Sequence, residues 1–337
     1  MQKELNKNKA YQQLLERIGT TYQAAIKKIG NAVNTEMLLA YWEIGKHIVE
    51  FEQGGKLKAE YGKALILNLS KDLSLQHGTG FSRTNLAYMR LLYHRYPICE
   101  TLSRKLGWSH YFELLKVEDD LARKFYEQQA INENWSVREL KRQKKSGLFH
   151  RLAIGKNKEE VLKLAKQGQI VESETDLIKN PYVFEFLNLP ENYQHTENDL
   201  EKALIDNLQQ FLLEMGKGFA FMGRQQRLTL NNRHYFVDLV FYHVKLKCYV
   251  LIDLKLGEVA HEHIGQMKLY LGYYEKEINE ATDNAPIGLI LSEEKDDIMV
   301  EYAMLNDSSK LIVSKYQLYL PDIEQLKKKV KEILEKK

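Results

Sequence analysis

The residues of this chain best suited to chemistry lie close together in its second half. Asp238 stands between Val237 and Leu239 in the run HYFVDLVFYHV (234–244), and Asp253 and Lys255 stand two apart in KCYVLIDLKL (247–256). Both runs are apolar, β-branched and aromatic, a composition that predicts strands. Side chains alternate along a strand, so Asp253 and Lys255 share one face. The short link at 245–247 predicts a hairpin, which brings Asp238 to the same end if the register turns its side chain that way. Burying a carboxylate in such surroundings costs on the order of several kcal/mol unless it is paired or holds a metal. Two carboxylates beside an ammonium suit Mg²⁺, with Mn²⁺ as an alternative. The backbone carbonyl of Leu254 adds a hard oxygen ligand, and waters and a phosphate complete the octahedron. Lys255 then orients or deprotonates an attacking water, or stabilises charge in a phosphoryl-transfer transition state. The plainer reading of Asp253 and Lys255 is an ion pair on an edge strand, since an acid two places before a lysine recurs by chance in a chain this charged. Asp238, with apolar neighbours on both sides, resists that reading.

Other residues carry weaker signals. Glu201 lies three positions after Asn198 at the start of a helix, the spacing of a capping box with Asn198 as the cap. Gln266, in QMKLY on the helix after the third strand, shares a face with Tyr270 and Tyr273 and can contact water or a scissile phosphate there. Arg224, Gln225, Gln226 and Arg227 lie on the first strand, where residues of one parity can touch a nucleic-acid backbone, Arg224 and Gln226 first among them. Residues 64–95 fit a helix-turn-helix: ALILNLSKDLSLQ, a glycine-bearing turn HGTG, then Ser82 as cap of a helix whose Arg83, Asn85 and Arg90 suit phosphate and base contacts. A plain αα-hairpin explains the same pattern. Lys141, Arg142, Lys144 and Lys145 form either a phosphate-contacting patch or a solvated helix end. His261 and His263 read more simply as a helix-start pair than as metal ligands, and Cys99 and Cys248 as small buried residues. No glycine-rich nucleotide-binding motif appears.

The elements that must position these residues fall into two halves. A chain of 337 residues fits two domains of roughly 150 each, and 44% hydrophobic residues supply real cores. Residues 1–170 carry a net +11 and residues 171–337 a net −8. A basic half suggests a polyanionic partner, and an acidic half can still act on it through a bound divalent cation. Two cysteines exclude a disulfide framework. No apolar run approaches the roughly 20 residues of a membrane span, and MQKELNKNKAYQQ lacks the core of a signal peptide, so a cytoplasmic protein without membrane contact is expected. The first half reads as helical, with helices at about 35–52, 59–75, 83–95, 109–115, 117–131 and 136–146. Before them, Tyr11 to Val33 repeat at near-heptad spacing, a surface for core packing or a homo-oligomer. A polar stretch at about 151–175 predicts a linker, giving domains at 1–170 and 176–337. Beyond a helix at 198–215 come strands at 219–230, 234–244 and 247–256, a helix at 261–277, a strand at 286–292, a helix at 295–305, a strand at 310–316 and a helix at 322–335. That order, αβββαβ with additions, predicts an all-α domain followed by an α/β domain with a mixed sheet.

Taken together, the arrangement resembles the PD-(D/E)xK nuclease superfamily, whose restriction-endonuclease-like core is αβββαβ. More closely, FAFMGRQQRLTL, YFVDLVFYH, YVLIDLKLGE and IGQMKLYLGYY resemble the C-terminal domain of the YhcG-type family of bacterial nucleases. YWEIGKHIVEFEQ, YGKALILNLSKDL, LGWSHYFELLKVED and NWSVRELKRQKKSGLF resemble its N-terminal helical domain. The resemblance spans nearly the whole chain. It implies metal binding by Asp238 and Asp253, a catalytic Lys255, Glu201 as the helix-borne acid of the metal site, and Gln266 as the glutamine of the following helix. Phe236-Val237 stands where a proline might precede the aspartate, a loose position in the superfamily. The expectation is an Mg²⁺-dependent endonuclease acting on DNA, branched or otherwise structured, with room for a protein partner in DNA processing or defence. The rival is a catalytically silent DNA-binding or complex-assembling protein that uses the fold for docking.

Overall fold

The computed structural model describes residues 34–53, 65–77, 79–179, 181–189, 196–303 and 310–335. The chain divides into two compact units, Met1–Arg123 with Ala130–Leu140 and Lys124–Gln129 with Lys141–Lys337. The near-heptad segment at 11–33 lies outside the described residues.

The first unit is helical. It contains α1 (residues 34–53), α2 (Leu65–His77), α3 (Arg83–Arg95), α4 (Trp108–Leu114) and most of α5 (Asp120–Glu133). Ile48, Leu65, Leu86 and Met89 form a core ringed by Tyr41, Leu69, Phe81 and Trp108. The α1–α3 crossing is close because Gly45 has no side chain; a Cβ there would stand 2.0 Å from the Met89 carbonyl oxygen. Starts are set locally: Ser82 accepts the Asn85 N–H at 3.2 Å, and Asp119 accepts that of Leu121 at 2.9 Å. Asn134, left-handed at φ 55°, ends α5.

The second unit is a mixed sheet covered by helices. Its elements, after α6 (Val137–Lys145), are α7 (Leu148–Ala153), α8 (Lys158–Gln167), β1 (Tyr182–Val183), α9 (Glu197–Asp206), α10 (Leu208–Met215), β2 (Phe219–Leu230), β3 (Arg233–His243), β4 (Cys248–Glu258), α11 (His261–Tyr273), β5 (Ile287–Glu294), α12 (Asp297–Ala303), β6 (Lys310–Gln317) and α13 (Ile323–Glu335). The stretch expected as a linker thus contains α8, opened by an Asn157–Glu160 capping box and buried through Val161 and Leu164. Its polarity is that of an amphipathic helix with one narrow apolar stripe. The strand order is β1-β6-β5-β4-β3-β2, an antiparallel β2-β3-β4 meander continued by parallel pairing through β5 and β6 to β1. On one side Leu200, Leu204 and Phe211 of α9 and α10 meet Leu239, Phe241, Val250, Ile252 and Leu254. On the other, Ile264, Met267 and Tyr270 of α11 meet Val240, Leu251, Ile290 and Val313. Each large apolar side chain so buried contributes about 1.5–3 kcal/mol.

A buried ion cluster ties the preceding helices to this sheet. Glu214 of α10 pairs with Arg151 of α7, both fully buried, and accepts the Val183 N–H of β1 at 3.0 Å. Lys179 donates to the Glu214 backbone carbonyl. Burial alone would raise the Glu214 carboxyl, but Arg151, then Lys179 and Arg142, outweigh it and hold it down at about 2.

Pairing of β3 with β4 runs from His243↔Cys248 only as far as Leu239↔Ile252. Beyond it β3 stays with β2 back to Arg233, while β4 continues beside β5. The two strands therefore part inside the sheet, and Asp238 stands on one side of the parting with Asp253 and Lys255 on the other.

Candidate active site

The parting leaves backbone groups of β4 without ladder partners on that side, and Asp238 takes one of them: its Oδ2 accepts the Leu254 N–H at 2.8 Å. In extended backbone the carbonyl of a residue points to the same edge as its N–H, so the Leu254 carbonyl also faces the gap. Asp253 is 2% exposed and Lys255 9%. Lys255 Nζ lies 3.1 Å from Asp253 Oδ2 and 3.3 Å from Glu197 Oε2. That ion pair apart, Oδ2 has no hydrogen-bond partner among the described residues. Burial, then the neighbouring Asp238 charge, pushes the Asp253 carboxyl well up, and Lys255 only partly counters them. Burial acts to lower the Lys255 pKa, but Asp253 and then Glu197 outweigh it, so Lys255 is held as an ammonium. A cation stabilised in this way suits charge neutralisation and orientation, and argues against proton abstraction by Lys255.

Glu201 faces the same place from α9. Its Oε2 accepts the Gln225 Nε2 amide at 2.6 Å, and the same amide donates to Asp238 Oδ1 at 3.1 Å. Burial is the main cause that raises the Glu201 pKa; Gln225 opposes it and Asp238 adds to it. Among the described residues no group of three or more His, Cys, Asp or Glu side chains converges as a metal cluster, and Glu201 reaches Asp238 through the Gln225 amide. The cap of α9 is Thr196, paired with Asp199 at 3.1 and 2.9 Å, not Asn198 as the spacing suggested. That frees Glu201 for the site and puts Glu197 in the first turn, where it meets Lys255 and accepts the Leu256 N–H at 3.3 Å.

Gln266 of α11 donates to the Tyr270 hydroxyl, which donates to the Phe236 carbonyl at 2.9 Å. The hydroxyl is near enough to Asp253 and Asp238 for their charges to add to the effect of burial in raising its pKa. His263 accepts the Ala260 N–H at 3.0 Å and helps open α11.

The residues singled out for phosphate contact fare unevenly. Arg224 and Gln226 are exposed on β2, and Arg224 is close enough to Glu201 to lower its pKa. Arg83 is exposed at the start of α3, whereas Arg90 pairs with Glu52 at 2.7 Å and Asn85 Nδ2 donates to the Gly80 carbonyl at 2.9 Å. Lys141 and Lys145 are exposed and Lys144 half-buried. Arg142 is turned inward, 3.0 Å from Glu185, 3.4 Å from Glu214 and over the Phe186 ring, so it serves the core instead of a solvated patch. Glu197 carries no chemical signal in the sequence, and Gln225 stands out there only as one of four β2 residues suited to backbone contact, not as a partner of Asp238 and Glu201. Counting back from the Asn231-Asn232 turn, Leu230↔Arg233 and Gln226↔Val237 set Gln225 opposite Asp238, a signal available from the turn alone.

A parted mixed sheet carrying Asp238, Asp253 and Lys255, with an acid from the preceding helix, defines a nuclease domain of the PD-(D/E)xK type. Residues 175–331 match the YhcG PDDEXK nuclease domain, and residues 17–151 match the DUF1016 N-terminal domain. The chain is 37% identical to Putative nuclease YhcG of Escherichia coli (strain K12), over 94% of this chain and 92% of that protein. It belongs to the YhcG nuclease family. Among solved structures, a repair endonuclease from Pyrococcus abyssi aligns with 39% of this chain at TM-score 0.26 and 18% identity, and a chain of the EndoMS-dsDNA2 complex with 40% at 0.25 and 13%. Each alignment spans 50% of the other chain. Among the described residues no helix is long and apolar enough to cross a membrane.

Proposed function

We propose that this nuclease is a DNA endonuclease that hydrolyses phosphodiester bonds with a divalent cation, Mg²⁺ or in its place Mn²⁺, at the parting of β3 and β4. The observation that carries the reading is the meeting there of Asp238, the buried Asp253 with an incompletely partnered oxygen, and the gap-facing Leu254 carbonyl. These are hard oxygen donors, and Mg²⁺ needs only one or two carboxylates when substrate phosphate and water fill its remaining positions. The residues fit the ion. When bound, it would polarise the scissile phosphate and favour hydroxide formation near neutral pH.

The chain's own side chains do the rest. Asp238 and Asp253 supply the negative charge of the site, and Leu254 its carbonyl. Lys255, kept charged by Asp253 and Glu197, stands ready to offset negative charge that grows on the phosphoryl oxygens. Gln225 fixes Asp238 relative to Glu201, and Glu201 adds acidic charge from α9. The net +11 of residues 1–170 supports a polyanionic substrate.

The test is incubation of the full chain with linear, branched and single-stranded DNA in Mg²⁺, Mn²⁺ or EDTA, alongside Asp253→Asn. Cleavage that needs the ion and vanishes in Asp253→Asn is expected; undiminished cutting by the variant would remove the site from the mechanism.

A further inference from the structure

Among the described residues, the half of the β2–β3 hairpin beyond the parting pairs with no third strand on the β4 side, and its two faces differ sharply. One face is bound to the core: Leu228, Tyr235 and Val237 pack with Val259 and Ile264 at the start of α11. The alternate residues of β3, which share parity with Asp238, are Phe236 and His234; their cross-strand partners are Arg227 and Thr229. All four are exposed, Phe236 at 46%. His234 and Thr229 bond to each other at 3.0 Å, and the hairpin closes at Asn231-Asn232, both left-handed. The result is a row that starts at Asp238 and Gln225, passes an exposed phenylalanine whose cross-strand neighbour is an arginine, and ends in a hydrogen-bonded imidazole and hydroxyl.

A lone exposed phenylalanine needs no explanation. This one stands two residues from Asp238, with Arg227 directly across, on a strand whose other face is anchored. Successive positions in the row are about 6.8 Å apart, set by the two-residue strand repeat, a step comparable to that between consecutive phosphates of an extended single strand. An aromatic face takes any base by stacking, and an arginine beside it neutralises the adjoining phosphate. A base inside a duplex has its faces covered by its neighbours and cannot lie on Phe236. We infer that the Arg227–Phe236 row of the β2–β3 hairpin binds a nucleotide next to the scissile phosphate with its base unpaired and stacked on Phe236, so that the preferred substrate is single-stranded or locally opened nucleic acid. This rests on the nuclease reading of the adjacent site and adds to it what flanks the cleaved bond.

The experiment separates the two. Binding of the full chain is measured in EDTA, where cutting does not intrude, to a single-stranded oligonucleotide bearing 2-aminopurine, to the same oligonucleotide as a flap on a duplex, and to a blunt duplex. Stacking on Phe236 should quench the probe in the first two. Phe236→Ala should abolish that quenching and lower single-strand affinity about tenfold, within the range for one base–aromatic contact, so that the ratio of single-strand to duplex affinity falls by the same factor. Phe236→Trp should restore both. Arg227→Ala should weaken binding and flatten its salt dependence without removing the quenching. Equal losses on duplex and single strand, or unaltered quenching in Phe236→Ala, would overturn the inference while leaving ion-dependent cleavage to be judged by Asp253→Asn. A circular-dichroism melt of Phe236→Ala matching the parent excludes a folding defect, as expected for an exposed ring.

Discussion

At the scale of residues, the site is governed by which charges the fold allows. Lys255 is an ammonium because Asp253 and Glu197 stabilise it against burial, and a group that acts mainly on transition-state charge affects the chemical step more than binding. Lys255→Ala should therefore lower single-turnover cleavage by roughly a hundredfold or more while DNA affinity changes little; loss of affinity in step with rate would make it a docking residue. Lys255→Arg should rescue poorly, since a planar guanidinium does not occupy the place of a compact ammonium. Asp253 gives the matching pH prediction. Its folded pKa lies above the ordinary 3.8, so the folded state holds the proton more tightly than the unfolded one. That contribution is complete below 3.8 and is lost as pH rises through the raised folded value. Ion-free protein should lose thermal stability over this rise, Asp253→Asn should flatten the loss, and added Mg²⁺ should raise the melting temperature more at pH 8 than at pH 5.5. Equal shifts at both pH values would separate the ion from Asp253.

At the scale of elements, α9 and the hairpin carry the precision of the site. Thr196 caps the helix that presents both Glu197 and Glu201, so Thr196→Ala should cost about 1 kcal/mol and reduce cleavage beyond that loss, because the first turn holding Glu197 would fray. Urea denaturation and cleavage rates at matched temperature measure the two effects. The strands of the meander were legible in the sequence because each is long, β-branched and bounded by turn residues, and Asp238, Asp253 and Lys255 stood out against apolar neighbours. Gln225 did not, because a glutamine among Arg224, Gln226 and Arg227 looks like solvated surface. Its register opposite Asp238 follows from the turn, but the φ of 44° that goes with an amide turned toward Glu201 does not. The cap of α9 was misplaced by two residues because Thr196 and Asn198 both suit the role, and their spacing to Asp199 and Glu201 is the same. Arg142 was hidden for another reason: nothing in KRQKK distinguishes a cation facing water from one facing Glu185 and Glu214.

At the scale of the whole molecule, the second unit begins before the nuclease family match at residue 175. Arg151 comes from α7, yet it is the buried partner of Glu214, and α8 packs with this unit as well. A fragment of residues 175–337 would leave Glu214 buried without its guanidinium, a defect worth roughly 3–5 kcal/mol. A fragment of residues 118–337 should fold with a single cooperative melt, and the shorter one should melt far lower or fail to fold; equal melting temperatures would show the cluster to be dispensable. The same cluster sets an acid limit. The Glu214 pKa is depressed to about 2 from 4.5, so its contribution is present above 4.5 and lost as pH falls toward 2. Glu214→Gln should be destabilised at neutral pH and show a shallower acid transition than the parent.

The hydrogen bond from the Leu254 amide to Asp238 gives the protein an isotopic reporter. Most amides in the middle of a sheet exchange with deuterium only when a strand detaches from its neighbour. This one is shielded by a side chain that a divalent ion would recruit, so its exchange rate should follow the occupancy of Asp238 while the flanking amides of Ile252 and Val250 stay slow. The rate at that single amide would then report titration of the site by Mg²⁺ in a chain that has no substrate to cut.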